Sequence, residues 1–206
     1  MLIDMYGVIM EESKGKFIPY TLAHFPEAEH QRLIRAFREE QLFTRAGNGE
    51  MSSEDFLREL GYMSPVETLQ NYLEQYLTLD AGFKPFAERL RKRPDKKGYD
   101  FVLLSNDVAE WNAYLMELHG LNVYFEDVIV SGQVHMRKPQ ESIFRYTLDR
   151  LGCSAGECVF VDNSAANLRA AEKLGIQTVH FNRDGEDYEG CQVENFRELA
   201  ETLEEH

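Results

Sequence analysis

The sequence predicts an α/β protein: a Rossmann-like, doubly wound, mostly parallel sheet with a small all-helical cap inserted after the first strand. Three observations carry this. Five strand-length apolar runs, Met1–Ile3, Phe101–Leu104, Asp127–Val130, Cys158–Val161 and Ile176–Phe181, recur along the chain. Segments of helical spacing separate the later runs, and each apolar stripe ends at a glycine. From residue 12 to residue 80, strand-type runs are missing.

The elements follow in order. The first run ends at Asp4, with only Met1, Leu2 and Ile3 before it, so the strand reads as truncated, which leaves a start at Met1 and one a few residues upstream both open. In the insertion, Leu33, Ile34 and Phe37 mark one helix, and Phe56, Leu57 and Leu60 a short second one. Ser64-Pro65-Val66-Glu67 joins a capping box to a proline at the first helical position, and Leu69, Tyr72, Leu73 and Tyr76 give that third helix its apolar face. The chain crosses between the two parts near 11–20 and 78–82, so the expected division is a core of 1–11 and 81–206 and a cap of 12–80. The α/β pattern resumes near Phe83. Val108, Trp111, Leu115 and Leu118 then form a stripe closed by Gly120. Ile143, Phe144, Leu148 and Leu151 form another closed by Gly152, and Leu168, Ala171 and Leu174 a third closed by Gly175. Strands alternating with helices imply right-handed βαβ units and a sheet covered on both faces.

Composition narrows the function. The 206 residues allow one α/β domain and a small helical insertion, not two catalytic domains. At 43% hydrophobic and 12% aromatic, the chain can build a core and is not disordered. No apolar run reaches the roughly 20 residues needed to cross a bilayer, and the N-terminus lacks the basic start and apolar stretch of a signal peptide. Cys153, Cys158 and Cys191 form no CxxC pair and are expected as reduced thiols, without a disulfide framework or zinc site. A cytoplasmic protein is expected. The formal charge of -14 repels nucleic acid and anionic membranes, which leaves a small molecule as the expected partner. The basic clusters are KGK at 14–16 and RLRKRPDKK at 89–97, the second suited to a helix end. A pocket for phosphate must therefore build its own positive field.

Open α/β sheets bind ligands beyond the carboxyl ends of their strands. Here the first run ends in Asp4, the second in Ser105-Asn106 and the fourth in Asp162-Asn163; the third ends at Ser131, followed by Arg137-Lys138-Pro139. Each of these residues alone suits a turn or a cap. Together on one edge, they point to a site.

Their order resembles four motifs of the haloacid dehalogenase superfamily. The matching segments are Asp4-Met5-Tyr6-Gly7-Val8-Ile9, Leu104-Ser105-Asn106, Met136-Arg137-Lys138-Pro139, and Phe160-Val161-Asp162-Asn163 with Asn167 and the trailing Ala-Ala-Glu-Lys-Leu-Gly. The resemblance spans nearly the whole chain, and Gly49–Phe56 is similar to the cap of members near sugar-phosphate phosphatases and epoxide-hydrolase N-terminal domains. It implies a hydrolase in which Asp4 attacks phosphorus or carbon to form a covalent intermediate. Ser105 would donate to the transferring group, Asn106 and Asp162 would complete the catalytic rim, and Lys138 would neutralise nucleophile and transition state. It also implies magnesium held by Asp4, the Tyr6 carbonyl and the Asp162-Asn163 pair.

Two departures bear on the activity. Tyr6 stands where the family's phosphatases carry a second aspartate as general acid and base. A phenol with a pKa near ~10 can protonate a leaving alkoxide but is a poor base at neutral pH. Asn163 stands where many carry an acidic metal ligand. The leading reading is a phosphatase of a small phosphorylated metabolite, its general acid drawn from Tyr6, Glu11, Glu12 or a metal-bound water. A 2-haloacid dehalogenase is the alternative. Tyr6 favours it, and Arg38 is its candidate for a substrate carboxylate. Phe144 in place of a tyrosine, Val8 in place of a threonine and the absent Ser-Ser-Asn motif oppose it. A third reading is a weakened fold that only binds a ligand or partner.

Overall fold

The computed structural model describes residues 1–12, 14–91 and 98–204. Six strands, β1 (Leu2–Ile3), β2 (Val102–Ser105), β3 (Asp127–Val130), β4 (Val159–Asp162), β5 (Gln177–Phe181) and β6 (Gln192–Val193), form one sheet in the order β3-β2-β1-β4-β5-β6. Every pairing is parallel. The two-residue β1 is central: Ile3 pairs with Leu103 on one side and Val161 on the other. The chain winds outward through β2 and β3, then returns to β4 on the far side of β1. The strand order thus reverses between β1 and β4, where the connections diverge and leave a crevice at the carboxyl edge.

Side chains alternate across the sheet. Ile3, Leu103 and Val161 face one cluster with Phe86, Phe101 and Phe196. Leu2, Val102, Leu104 and Phe160 face another with Ile143, Phe144 and Leu168. Both faces are buried, which is why these strands read as unbroken apolar runs. Each buried side chain of this size contributes about 1.5–3 kcal/mol before entropy is counted.

Between β1 and β2 lie α1 (Phe17–His24), α2 (Glu27–Arg38), α3 (Leu42–Gly47), α4 (Ser53–Leu60), α5 (Pro65–Tyr76) and α6 (Phe83–Arg91). The core continues with α7 (Ala109–Leu118), α8 (Ser131–Val134), α9 (Glu141–Leu151), α10 (Ala165–Glu172) and α11 (Phe196–Glu204). Helices α1–α5 share an aromatic cluster that also takes in Val108, which precedes α7, and Trp111 and Leu115 within it. Trp111 is keyed in by its indole N–H, which donates to Ser53 Oγ at 2.7 Å.

Several local expectations need correction. The sequence pattern marks three helices within 12–80; the described residues there form five. Pro19 interrupts the pattern of α1, which buries only Phe17 and Thr21, and α3 is six residues long. Neither is long or periodic enough to stand out. Ser64 makes no side-chain capping bond, because its backbone (φ -122°, ψ 73°), before a proline, departs from ordinary cap geometry. Ser52 instead caps α4, accepting from the Asp55 N–H at 3.0 Å. Ile34 and Leu118 face solvent at 38% and 42% exposure. The two-residue β6 and helix α11 escape the pattern reading. Of the basic stretch at 89–97, α6 ends at Arg91, and 92–97 lie outside the described residues. The thiols of Cys153, Cys158 and Cys191 are free, the first two with sulfurs 3.3 Å apart. Among the described residues, no helix is long and apolar enough to cross a membrane.

Candidate active site

Asp4 is the first residue beyond β1, and its N–H donates to the Val161 carbonyl of β4 at 3.0 Å. That bond extends the ladder one step and fixes the side chain at the carboxyl edge of the central strands. Lys138 reaches it from the loop between α8 and α9. Its ammonium lies 2.7 Å from Asp4 Oδ1 and 2.7 Å from Asp162 Oδ2. All three side chains are withdrawn from solvent: Asp4 is 7% exposed, Lys138 2% and Asp162 0%.

Each member of this triad is braced. Asn106, just past β2, donates from its amide to the Lys138 carbonyl and accepts the Lys138 N–H, both at 2.8 Å. This two-point clamp holds the lysine's backbone, so Asn106 positions Lys138. Asp162 Oδ1 accepts the Ser164 N–H at 2.7 Å, and the Asn167 amide donates to its oxygens at 3.2 and 3.1 Å. Ser105 closes β2; its hydroxyl is buried without a partner among the described residues. From the segment after β5, Arg183 donates to the Gly7 and Val8 carbonyls at 3.1 and 3.0 Å and pairs with Asp80. It thereby ties down the loop that follows Asp4.

Two carboxylates around one ammonium leave the triad with one net negative charge when all are ionised. Burial pushes the Asp4 carboxyl above its usual range, the charge of Lys138 pulls it back, and Asp162 pushes it up again. For Lys138, burial favours the neutral amine, but Asp162 and Asp4 outweigh it and hold the ammonium above its ordinary value. The cation also lies 5.4 Å from the centre of the Phe160 ring.

Asp107 was not distinguished by sequence. It follows Ser105-Asn106, where an aspartate before a helix reads as a cap. In the structure it is 4% exposed and accepts the Tyr6 hydroxyl at 2.8 Å. Its own N–H donates to Ser131 Oγ at 3.0 Å. Burial pushes the Asp107 carboxyl up to about 7. Burial, and then the charge of Asp107, push the Tyr6 phenol well above its ordinary value. Tyr6 is thus held as a donor and is unsuited to be a base.

Tyr6, Asn106 and Asp107 line a cavity of about 320 Å³ together with residues of α1, α3, α5 and α7. Phe17, Phe43, Tyr72 and Trp111 give it an aromatic wall, and Glu12 adds a second carboxylate. Glu12 is buried there, whereas Glu11 is exposed. Arg38 is exposed at the end of α2 and does not line this cavity. Phe144 is buried across the sheet against Phe160, with ring centres 5.5 Å apart.

Among the described residues, no group of three or more His, Cys, Asp or Glu side chains is arranged to hold a metal ion. Of the ligands the sequence suggests, Asn163 is half-buried and its side chain makes no hydrogen bond among the described residues, so its amide oxygen carries no competing partner. The expectation that Asp162 also ligates meets a physical obstacle, since both its oxygens already accept hydrogen bonds from Lys138, Ser164 and Asn167. One carboxylate with neutral oxygens is the minimum that magnesium accepts and is unsuited to softer metals.

A family model described as haloacid dehalogenase-like hydrolase matches residues 1–175. D-ribitol-5-phosphate phosphatase of Bacteroides thetaiotaomicron is 24% identical over 189 residues, covering 86% of this chain and 89% of the relative. (S)-2-haloacid dehalogenase 4A of Burkholderia cepacia is 29% identical over 101 residues, covering 49% of this chain. The chain spans less than half the length of the first curated relatives it matches, that dehalogenase among them at 44%. The fold is shared with a HAD family enzyme from Bacteroides thetaiotaomicron solved with magnesium and inorganic phosphate. That structure has a TM-score of 0.73 and 21% identity, covering 91% of this chain and 96% of the other.

Proposed function

Because the chain belongs to the haloacid dehalogenase-like hydrolases, we propose that it is a phosphatase of a small phosphorylated metabolite, with Asp4 as nucleophile and residues 12–80 as a cap over the site. The observation that carries this is the Lys138 ammonium 2.7 Å from Asp4. A buried carboxylate can stay ionised only with a cation beside it, and that same cation can stabilise charge gathering on a transferring phosphoryl group. In an otherwise acidic chain, this lysine puts a cation beside the nucleophile for a phosphoryl group to meet.

In the first step an Asp4 oxygen attacks phosphorus and the bond to the leaving oxygen breaks. The Tyr6–Asp107 pair is the proposed proton source for that oxygen, Tyr6 delivering its proton and Asp107 replacing it. Water then attacks phosphorus in the aspartyl phosphate and gives up a proton that returns to the Asp107 carboxylate, while the phosphorus–Asp4 bond breaks, releasing inorganic phosphate and restoring Asp4. Ser105 donates to a phosphoryl oxygen, and Asn106 and Asp162 keep Lys138 in place. Magnesium would be held by Asp4, the Tyr6 carbonyl and Asn163, where it would offset phosphate charge. The aromatic cluster that seats α1–α5 on α7 keeps bulk water from the rim, which strengthens these interactions. Free thiols fit a reducing cytoplasm.

Tyr6 favours one other reading, a 2-haloacid dehalogenase. The cavity opposes it, because a haloacid carboxylate would meet Glu12 and Asp107 while Arg38 lies elsewhere. A panel of phosphomonoesters and 2-haloacids, each assayed with and without magnesium, tests the choice. Phosphate release is expected; halide release alone would reverse the ranking, and neither product would favour a binding module.

A further inference from the structure

Glu12 is 8% exposed, and no cation pairs with it among the described residues. One of its oxygens accepts the Lys14 N–H at 2.8 Å, but the Lys14 ammonium is exposed at the rim, 3.4 Å from Asp184. Buried carboxylates are ordinarily paired, since an isolated charge is costly to desolvate. Glu12 lines the cavity beside Tyr6 and Asp107, so a counter-charge can come from a ligand there.

The rest of the wall suits such a ligand. Phe17 is a hub, with ring centres 4.9 Å from Trp111, 5.0 Å from Tyr72 and 5.9 Å from Phe43. Phe43 and Ile18 keep the mouth apolar, at 40% and 41% exposure. Tyr72 links the aromatic and acidic parts. It lines the same cavity as Glu12 and Asp107, and burial first, then these acidic neighbours, raise its hydroxyl. Aromatic faces attract cations and carboxylates pair with them, whereas both disfavour an anion.

We propose that the cavity holds the alcohol part of the substrate, and that this part is an apolar or aromatic body bearing an ammonium group. The inference rests on the phosphatase reading for the word substrate; the ligand chemistry rests on the cavity alone.

Trp111 is the chain's single tryptophan and lines the cavity, so its fluorescence reports binding without turnover. Benzylammonium, benzyl alcohol and benzoate share a ring and differ in charge. Titrated into the whole protein, benzylammonium is expected to bind about tenfold tighter than benzyl alcohol, and benzoate weakest. Glu12→Gln is expected to bring the first ratio toward one. Retained near-ultraviolet circular dichroism would show that this variant is folded; should it fail to fold, the ranking of the three probes by the parent protein decides. Equal affinity for benzylammonium and benzyl alcohol, preference for benzoate, or no saturable change with any probe overturns the proposal. Benzyl phosphate and 4-(aminomethyl)benzyl phosphate separate it from the activity. Hydrolysis of both without preference overturns the ammonium assignment and leaves the phosphatase. Hydrolysis of neither, with benzylammonium still preferred, overturns the phosphatase and leaves the ligand class.

Discussion

Replacing Lys138 with methionine tests the centre of the site. The variant keeps an unbranched side chain and removes the charge, leaving Asp4 and Asp162 buried together without a cation. At 2.7 Å each carboxylate–ammonium contact is worth roughly 6 kcal/mol in Coulomb energy at an effective dielectric of about 20. Most of that offsets desolvation, so the measured cost of removing one partner is expected at about 3–5 kcal/mol, a large part of a typical stability of about 5–15 kcal/mol. The pH dependence carries the sign. Without Lys138 the Asp4 carboxyl, already raised by burial, should titrate still higher in the folded than in the unfolded chain, so stability is retained below the unfolded pKa of about 4 and lost as pH rises. Urea unfolding at pH 5 and pH 8 should show the larger loss at pH 8, with an unchanged slope against urea. Adding Asp162→Asn should recover part of the loss. A cost below about 1 kcal/mol, or an equal cost at both pH values, would refute the reasoning.

Four further outcomes are expected. Asp4→Asn should reduce turnover to a trace while changing stability by no more than about 1 kcal/mol, since an amide oxygen can still accept from Lys138; substantial residual turnover would exclude the covalent mechanism. Asp107→Asn should raise the melting temperature at pH 8 and change it little near pH 4. Moving a carboxyl from 3.8 to about 7 costs the folded state up to about 4 kcal/mol at high pH, and the amide avoids that while slowing turnover; a lower melting temperature at pH 8 would contradict the buried charge. Gly49→Ala should cost at least about 2 kcal/mol and lower kcat/KM, because Gly49 has φ +73° and an added Cβ would meet the Gly132 carbonyl between α3 and α8; wild-type melting and kinetics would show this contact to be unimportant. Asn163→Asp should tighten magnesium binding in calorimetry with and without a phosphate analogue, as an added charge strengthens attraction in a half-buried site; equal affinity would remove residue 163 from the ligand set.

What the sequence determined by itself was five of the six strands and the polar residues at their carboxyl edge. Strands buried on both faces must be apolar throughout, so β2 and β4 announce themselves, and the polar residue that ends each run falls at the carboxyl edge by connectivity alone. Asp4, Ser105 and Asp162 were legible for that reason, and Lys138 through its motif. The tertiary structure alone decided what their neighbours do. Asp107 looks like a helix cap until the fold brings it to Tyr6 from a distant part of the chain, and burial, which no local pattern encodes, raises its carboxyl. Glu12 and Glu11 are adjacent acids in sequence, yet one lines the cavity and the other meets solvent. Arg183 and Asp80 clamp the loop after Asp4 across the molecule. The short helices α1 and α3 depend on tertiary packing, because six to eight residues do not stabilise a helix alone. Local chemistry fixes which groups stand at strand ends. Long-range packing fixes their burial, and burial sets their charge.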